Sequence, residues 1–579
     1  MKQEGKRVYR FGPFQMDRKE RLLRRGSEVI ALSPKAMETL LALVESGGRI
    51  VEKDELIRAV WPKTFVEEGG LARNISVLRR ALQDDSGAEY IETVSRRGYR
   101  FVAAVSETSE NSIPSTRSLA VLPFANLSGD SAQDFFTDGM TDELISYFLK
   151  IEALQVTSRT SAMTYKGVKK PLREIAKELN VQWVVEGAVL HAGGRVRITV
   201  RLIDGGTEKH LWAETYEKDM RDILALQSEV AGEITDQIRV KMTAPEKARL
   251  AQSRTVNPQA YEDYLRGRHF WNKRTVESLK KAREYFEHAI EKDPSYAPAH
   301  CGLADAYALM GSNGYDVMPP TEAMPRAKAA ARNALEIDPT FAEANAALGY
   351  VKLAYDRDLV GATRELERAL ALKPNYAIAH QWMGELLMAK SSPDEATKSF
   401  RRALELDPLS VPCNLGLGWS FYFWGHYDLA IEQFQKTLEI APGVPMALYG
   451  RGLSFHHKNQ PHRGQREFQQ AYVSTGGDIA AVMFIGITHA LAGRQKAAEK
   501  ELAKLRALSK QRYIPAVYFA FIYVALNKLD RAFEYLHAAC EERSSYLVFM
   551  SVQPSFENLR ADPRFEAILR KIKMPSTGQ

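Results

Sequence analysis

The second half of this 579-residue chain repeats about every 34 residues, and no other feature narrows the fold as far. Prolines that close helical segments fall at Pro339, Pro374, Pro408 and Pro442, at intervals of 35, 34 and 34. One unit reads AIAHQWMGELLMAKSSPDEATKSFRRALELDP, with Gly384, Ala396, Phe400, Ala403 and Pro408 at its fixed positions. Gly418, Ala430, Phe434 and Pro442 take the same places in the next unit, and Ala282, Phe286, Ala289 and Pro294 in an earlier one. Weaker copies run through Gly452 and Phe468, Gly486 and Ala498, and Ala520, Ala532 and Ala539. Small residues let paired helices approach, a Phe fills the gap between neighbours, and Pro cannot continue the second helix. Such units bury their apolar faces only against one another. The pattern predicts about eight helix pairs between Tyr261 and Glu542, in an array over 255–545. A capping helix at RFEAILRKI follows, in a tail over 546–579.

These positions are those of a tetratricopeptide repeat, which the segment resembles. The resemblance implies a right-handed superhelix whose concave surface takes a protein or peptide partner. Trp382, Trp419 and Trp424 are assigned to its core. His456, His457 and His462 have no Cys or carboxylate beside them, so a solvated turn is favoured over a metal site. The insertion MGSNGYDVMPPTEAMP lengthens one unit and is expected to offer a loop to a partner.

The other end of the chain differs. Residues 1–105 hold 20 Lys and Arg against 15 Asp and Glu, which is +5 of the net +7. That imbalance suits a polyanion partner or a merely solvated basic face. Short strand-like runs, RVYRFGPFQMD, RLLRRG and EVIAL, come first. Ser33-Pro34 then caps a helix, KAMETLLALVES, that ends at Gly47-Gly48. A second helix, EKDELIRAVW, stops before Pro62. In the third, VEEGGLARNISVLRRAL, Leu71, Ile75, Leu78 and Leu82 share one face. Arg73, Val77 and Arg80 lie opposite, flanked by Asn74 and Arg79. A helix packed on one side and carrying arginines on the other suits a major groove, where Arg reads guanine and Asn reads adenine. YIETVSRRGYRF closes the segment as a hairpin with Arg96, Arg97 and Gly98 at its turn.

Residues 1–105 resemble the OmpR/PhoB-type winged helix-turn-helix domain, on the opening strands, LSPKAMETLLALVES, LRRAL and ETVSRRGYRF. The resemblance implies a recognition helix over about Glu67 to Leu82 and a wing carrying Arg96 and Arg97. Val77 stands where family members carry a base-reading Arg, which leaves the operator open. The family's habit of binding direct repeats implies a homodimer on DNA. No receiver domain precedes this segment, so control by aspartyl phosphorylation is not expected. The module-first order is that of CadC/ToxR-like regulators, without their membrane span.

A polar linker over 106–117 leads to an α/β domain over 118–245. SLAVLPF, LQVTSRTSAMTY, VQWVVEGAVLHAGG and RVRITVRLIDGGTEKHLWAETYE read as strands. DFFTDGMTDELISYFLK, PLREIAKELN and DILALQSEVAGEITDQI read as helices, giving one mixed sheet. The charged stretch APEKARLAQSRT reads as a helical lead into the array. The LAVLPFANLSGD…FFTDGMTDELI and WVVEGAVL…LWAETYE runs resemble a TolB amino-terminal-like domain. Asp138, Asp142 and Glu143 are assigned to a helix start, where they favour the dipole rather than a metal. No phosphate loop, nucleophile elbow or His-Glu-x-x-His helix is present, so no enzyme, catalytic residue, metal or cofactor is expected. Three dispersed cysteines and no run of about 18 apolar residues predict a soluble cytoplasmic protein without a membrane partner.

The expected architecture is a winged helix, an α/β domain and an all-α superhelix in series. The expected function is a transcriptional regulator that binds double-stranded DNA at one end and senses a protein or ligand at the other. The competing reading is a tetratricopeptide scaffold whose winged helix serves protein interaction.

Overall fold

A computed structural model describes every residue except 1–6, 18–21, 26–27, 31, 62–67, 84–89, 96, 104, 110–116, 241, 244–255, 313 and 577–579. The chain divides into two compact units, Met1–Ser115 and Thr116–Gln579.

In the first unit, β1 (Arg7–Phe11), β2 (Phe14–Asp17), β3 (Leu22–Arg25) and β4 (Glu28–Ile30) form an antiparallel meander. Three helices follow: α1 (Pro34–Glu45), α2 (Lys53–Val60) and α3 (Glu68–Ala81). Ser33 caps α1 by accepting the Ala36 N–H at 3.2 Å, with Pro34 in the first turn. β5 (Val51–Glu52), β6 (Ile91–Val94) and β7 (Gly98–Phe101) make a second small sheet, with β7 central. An aromatic cluster joins the two sheets: Phe11 meets Phe101 at 4.9 Å, and Phe14 meets Tyr90 edge-on at 5.3 Å. The expected linker begins differently. Ser106–Ser109 form β8, which pairs antiparallel with β1 and extends the first sheet. Ladder bonds come from backbone alone, so a polar segment can cover the open edge of β1 without an apolar pattern.

The second unit opens with β9 (Ser118–Val121), β10 (Ala125–Asn126), α4 (Asp134–Phe148), β11 (Gln155–Val156), α5 (Arg159–Met163) and α6 (Leu172–Glu178). β12 (Trp183–Ala192), β13 (Arg195–Asp204), β14 (His210–Asp219) and α7 (Ile223–Gln237) complete its α/β part. The sheet runs β11-β9-β12-β13-β14, parallel on one side and antiparallel on the other, and β10 adds to β12. One expectation fails: LQVTSRTSAMTY is a strand only at Gln155–Val156, and then turns into α5. That turn brings the Ser161 hydroxyl to the Asp407 carboxylate and the Leu409 N–H, so tertiary contacts override local preference. The stretch APEKARLAQSRT lies outside the described residues.

Eight helix pairs follow among the described residues. They are α8 (Pro258–Asn272) with α9 (Val276–Lys292), α10 (Ala297–Met310) with α11 (Pro320–Ile337), and α12 (Ala342–Val351) with α13 (Leu359–Leu372). Next come α14 (Ala377–Ala389) with α15 (Pro393–Leu406), and α16 (Val411–Phe423) with α17 (Tyr427–Ile440). The last three pairs are α18 (Pro445–His457) with α19 (Pro461–Ser474), α20 (Ile479–Leu491) with α21 (Gln495–Leu508), and α22 (Ala516–Ala525) with α23 (Leu529–Glu541). α24 (Pro563–Lys571) ends the array. The repeat signature is steric. A Cβ on Gly384 would stand 2.8 Å from the Phe400 ring and one on Gly416 2.3 Å, so two successive helices close on one buried Phe.

Several expectations about single residues change. The insertion does not project: the Val317 and Met318 N–H groups donate to the Met310 carbonyl, and the Asp316 carboxylate accepts the Tyr518 hydroxyl from α22. Asp138, Asp142 and Glu143 sit in the middle of α4, not at its start, and face the array. Glu143 accepts the Tyr264 hydroxyl at 2.9 Å, and Asp142 lies 3.6 Å from Arg159 and 3.5 Å from Arg268. Asp138 pairs with Lys166 at 2.7 Å. Burial opposes its charge, yet hydrogen bonds from His269 and Lys166 hold its carboxyl below the ordinary range. The Asn375 amide donates to the Leu154 carbonyl at 3.1 Å. Through these contacts the α/β part and the array form one body. His457 is not simply solvated, since it stacks on Tyr427 at 4.8 Å. Trp382 belongs to the core cluster, and both Trp382 and Trp419 also line a cavity formed by the first helices of successive pairs.

Candidate nucleic-acid interface

The candidate interface is built on α3. Leu71, Ile75 and Leu78, with Leu82 just beyond, are at most 2 % exposed and pack on α1, α2 and the aromatic cluster. This buried face fixes the rotation of the helix, so the opposite stripe is turned outward. It carries Ala72, Arg73, Ser76, Val77 and Arg80, all exposed, with Val77 at 44 %. Among the described residues, neither Arg73 nor Arg80 has an ion-pair or hydrogen-bond partner, which leaves two uncompensated cations on one helix face. Ser76 belongs to this stripe and was missed from sequence. Its place three residues after Arg73 and four before Arg80 is the signal that could have found it.

The flanking residues are held inside the domain. The Asn74 amide donates to the Thr39 hydroxyl at 3.1 Å, tying α3 to α1. Arg79 donates to the Ile91 carbonyl from Nε at 3.0 Å and from Nη2 at 2.7 Å, and to the Thr93 hydroxyl at 2.8 Å. It thereby clamps α3 to the first strand of the hairpin. This guanidinium, together with the shared core, fixes α3 relative to the hairpin.

The hairpin itself is β6 and β7, in the register Ile91↔Phe101 to Val94↔Gly98. Glu92 and Arg100 face each other across it and pair at 2.6 Å. Gly98 is required by close approach: a Cβ there would stand 2.0 Å from the Val51 carbonyl oxygen of β5. Arg97 is exposed at the tip, and its side chain has no ion-pair or hydrogen-bond partner among the described residues. Arg96 and Glu67 lie outside the described residues. Among the described residues, no helix is long and apolar enough to cross a membrane. The three cysteines are buried and unpaired.

Comparison with known proteins agrees with this geometry. Residues 26–101 match the family "Transcriptional regulatory protein, C terminal". Residues 115–233 match "HilA/YgeH-like transcriptional regulator, second domain", and 353–411 match "Tetratricopeptide repeat". The chain is 25% identical to the transcriptional regulator HilA of Salmonella typhi over 384 residues, 65% of this chain and 66% of that one. It is 40% identical to "Putative adenylate cyclase 3" of Rhizobium meliloti over 192 residues, 33% of each chain. The chain thus spans a third of one relative and just under two thirds of the other. Among solved structures, the DNA-binding domain of E. coli CadC is 28% identical, covering 18% of this chain and 98% of that one with a TM-score of 0.17. The chain therefore carries, in order, a winged helix of the transcriptional-regulator C-terminal family, a HilA/YgeH-type second domain and tetratricopeptide repeats.

Proposed function

We propose that this chain is a sequence-specific, DNA-binding transcriptional regulator. The observation that carries the reading is the uncompensated stripe of Arg73, Ser76, Val77 and Arg80 on a helix whose other face is buried. Arg73 and Arg80 read base edges, Val77 makes apolar contact, and Arg96 and Arg97 grip phosphate or the minor groove. Asn74 and Arg79 act by holding the helix and the wing. The regulator names among its relatives support this assignment.

The protein works in the cytoplasm as paired protomers on direct repeats. The second unit receives the signal, from a protein or a ligand, through the concave side of the array. It has no catalytic role, and full-length protein given ATP should form no cyclic nucleotide. The α/β part adopts a TolB amino-terminal-like fold that serves as a wall of the sensing unit. Electrophoretic shift of full-length protein on genomic fragments tests the reading. Arg73→Ala and Arg80→Ala should each cost roughly 1–3 kcal/mol on the specific site. Arg96→Ala should weaken all sequences alike. Unchanged operator affinity in Arg73→Ala would remove α3 as the reading helix.

A further inference from the structure

One cavity of about 1540 Å³ runs along the concave side of the array, larger than the roughly 300–1,000 Å³ of ordinary small-molecule sites. In each first helix of a pair, the residue after the small crossing residue lines it, and the chemistry changes in order. Arg268 and Asp305 stand at the α8–α10 end. Tyr350, Glu385 and Trp419 follow. Leu453, Ile487 and Phe521 line the far end. Helix α4 lines the charged end with Asp142 and Glu143, and the turn after it adds Lys150.

Not every cation at that end is paired, although Asp338 stands there beside the other carboxyls. Arg159 and Arg268 share Asp142, Arg268 also faces Asp305 at 3.6 Å, and Lys373 pairs with Glu343. The side chains of Lys150 and Arg274 line the same cavity without an ion pair or hydrogen bond to any described residue, Arg274 lying over the Trp271 ring at 3.7 Å. Burial, and then the charge of Lys373, pushes the Lys150 ammonium down in pKa, against the opposing pull of Glu343, Glu143 and Asp338. Burial raises Glu143, and raises Asp305 to about 7 against the pull of Arg268 and Arg274. At the far end the rungs themselves are apolar side chains, a surface that suits an alkyl chain, which has no hydrogen bonds to satisfy. The insertion and the segment after α23 close over this end: Asp316 accepts the Tyr518 hydroxyl, and Tyr518 meets Tyr546 at 2.9 Å.

The geometry points to an effector site for a small amphiphile, with an anionic head group at the Lys150–Arg268 end and an unbranched apolar tail along Leu453, Ile487 and Phe521. This rests on the second unit being the sensor. The head is a carboxylate or a phosphate monoester, which share the chemistry that Lys150 and Arg274 lack.

The test uses full-length protein without DNA. Octanoate to laurate, dodecyl phosphate, dodecanol and dodecyltrimethylammonium are titrated below their micelle concentrations, by tryptophan fluorescence with native mass spectrometry for stoichiometry. One anionic amphiphile per chain should bind, tightening about fourfold per added methylene. The ranking of laurate against dodecyl phosphate identifies the head group. Lys150→Met should weaken the anions about tenfold or more and leave dodecanol unchanged. Arg274→Gln provides a second variant if the first fails to fold. Equal affinity for all heads, no dependence on chain length, or binding of an acidic decapeptide in place of the amphiphiles would overturn the proposal. Because DNA is absent, loss of operator selectivity would sink the regulator reading without touching this result, and failure here would leave operator binding standing.

Discussion

Arg79 and Arg80 are adjacent and chemically identical, yet Arg79 is hydrogen-bonded within the domain and Arg80 is exposed. Arg79→Ala removes at least three hydrogen bonds from one half-buried guanidinium, two of them to the carbonyl of fully buried Ile91. Hydrogen bonds to a charged group contribute about 1.5–3 kcal/mol each when well desolvated. Partial exposure and a shared acceptor reduce the sum here to about 2 kcal/mol for the whole clamp. Hydrogen exchange on the full chain, read over peptides spanning 68–101, should then accelerate about 30-fold in Arg79→Ala. The Arg80 side chain is exposed, without an ion pair or hydrogen bond to any described residue, so exchange in Arg80→Ala should stay within about 0.5 kcal/mol of the parent. Its affinity for the specific site should nevertheless fall at least about fivefold, the lower end of a lost base contact at about 1 kcal/mol. Unchanged exchange in Arg79→Ala, or equal acceleration in both variants, would refute the division between clamp and reader.

Gly98→Ala sets a Cβ against the Val51 carbonyl and should cost about 1–3 kcal/mol, visible as faster exchange in β5 and β7; parental exchange would show that β5 can move aside. Arg97→Ala should weaken binding to every sequence and lower the slope of log affinity against log salt by about 1, measured by fluorescence anisotropy. Burial raises Glu385 from its ordinary value near 4.5 to about 7, against a hydrogen bond from Gln381. The folded state then holds more protons between these values, so this group lowers stability as pH rises from about 4.5 to 7 and adds no further change above it. Glu385→Gln should flatten that part of a Tm-against-pH curve; an unchanged slope would place the titration elsewhere.

The periodic parts of the fold were legible because steric rules repeat. Gly384, Phe400 and Pro408 mark their helix crossing at one fixed spacing, and Leu71, Ile75, Leu78 and Leu82 mark the buried face of α3. What sequence left hidden depends on contacts between distant residues. Nothing local tells that Arg79 reaches Ile91, that Asn74 reaches Thr39, or that Ser161 ends a strand early to meet Asp407. The cavity was hidden for the same reason. Its rungs lie one per repeat, so Arg268, Glu385 and Ile487 become neighbours in one series only after the helices stack. Trp382 and Trp419 look like core residues in sequence because a concave wall and a core both use large aromatic side chains.

The most direct test of the central claim is selection of genomic fragments by the full-length protein, followed by footprinting at several salt concentrations. A discrete site is expected, protected at salt that releases random DNA, and its protection should disappear in Arg73→Ala and Arg80→Ala. Binding without sequence preference at every salt, unaltered by those two substitutions, would contradict sequence-specific recognition by α3.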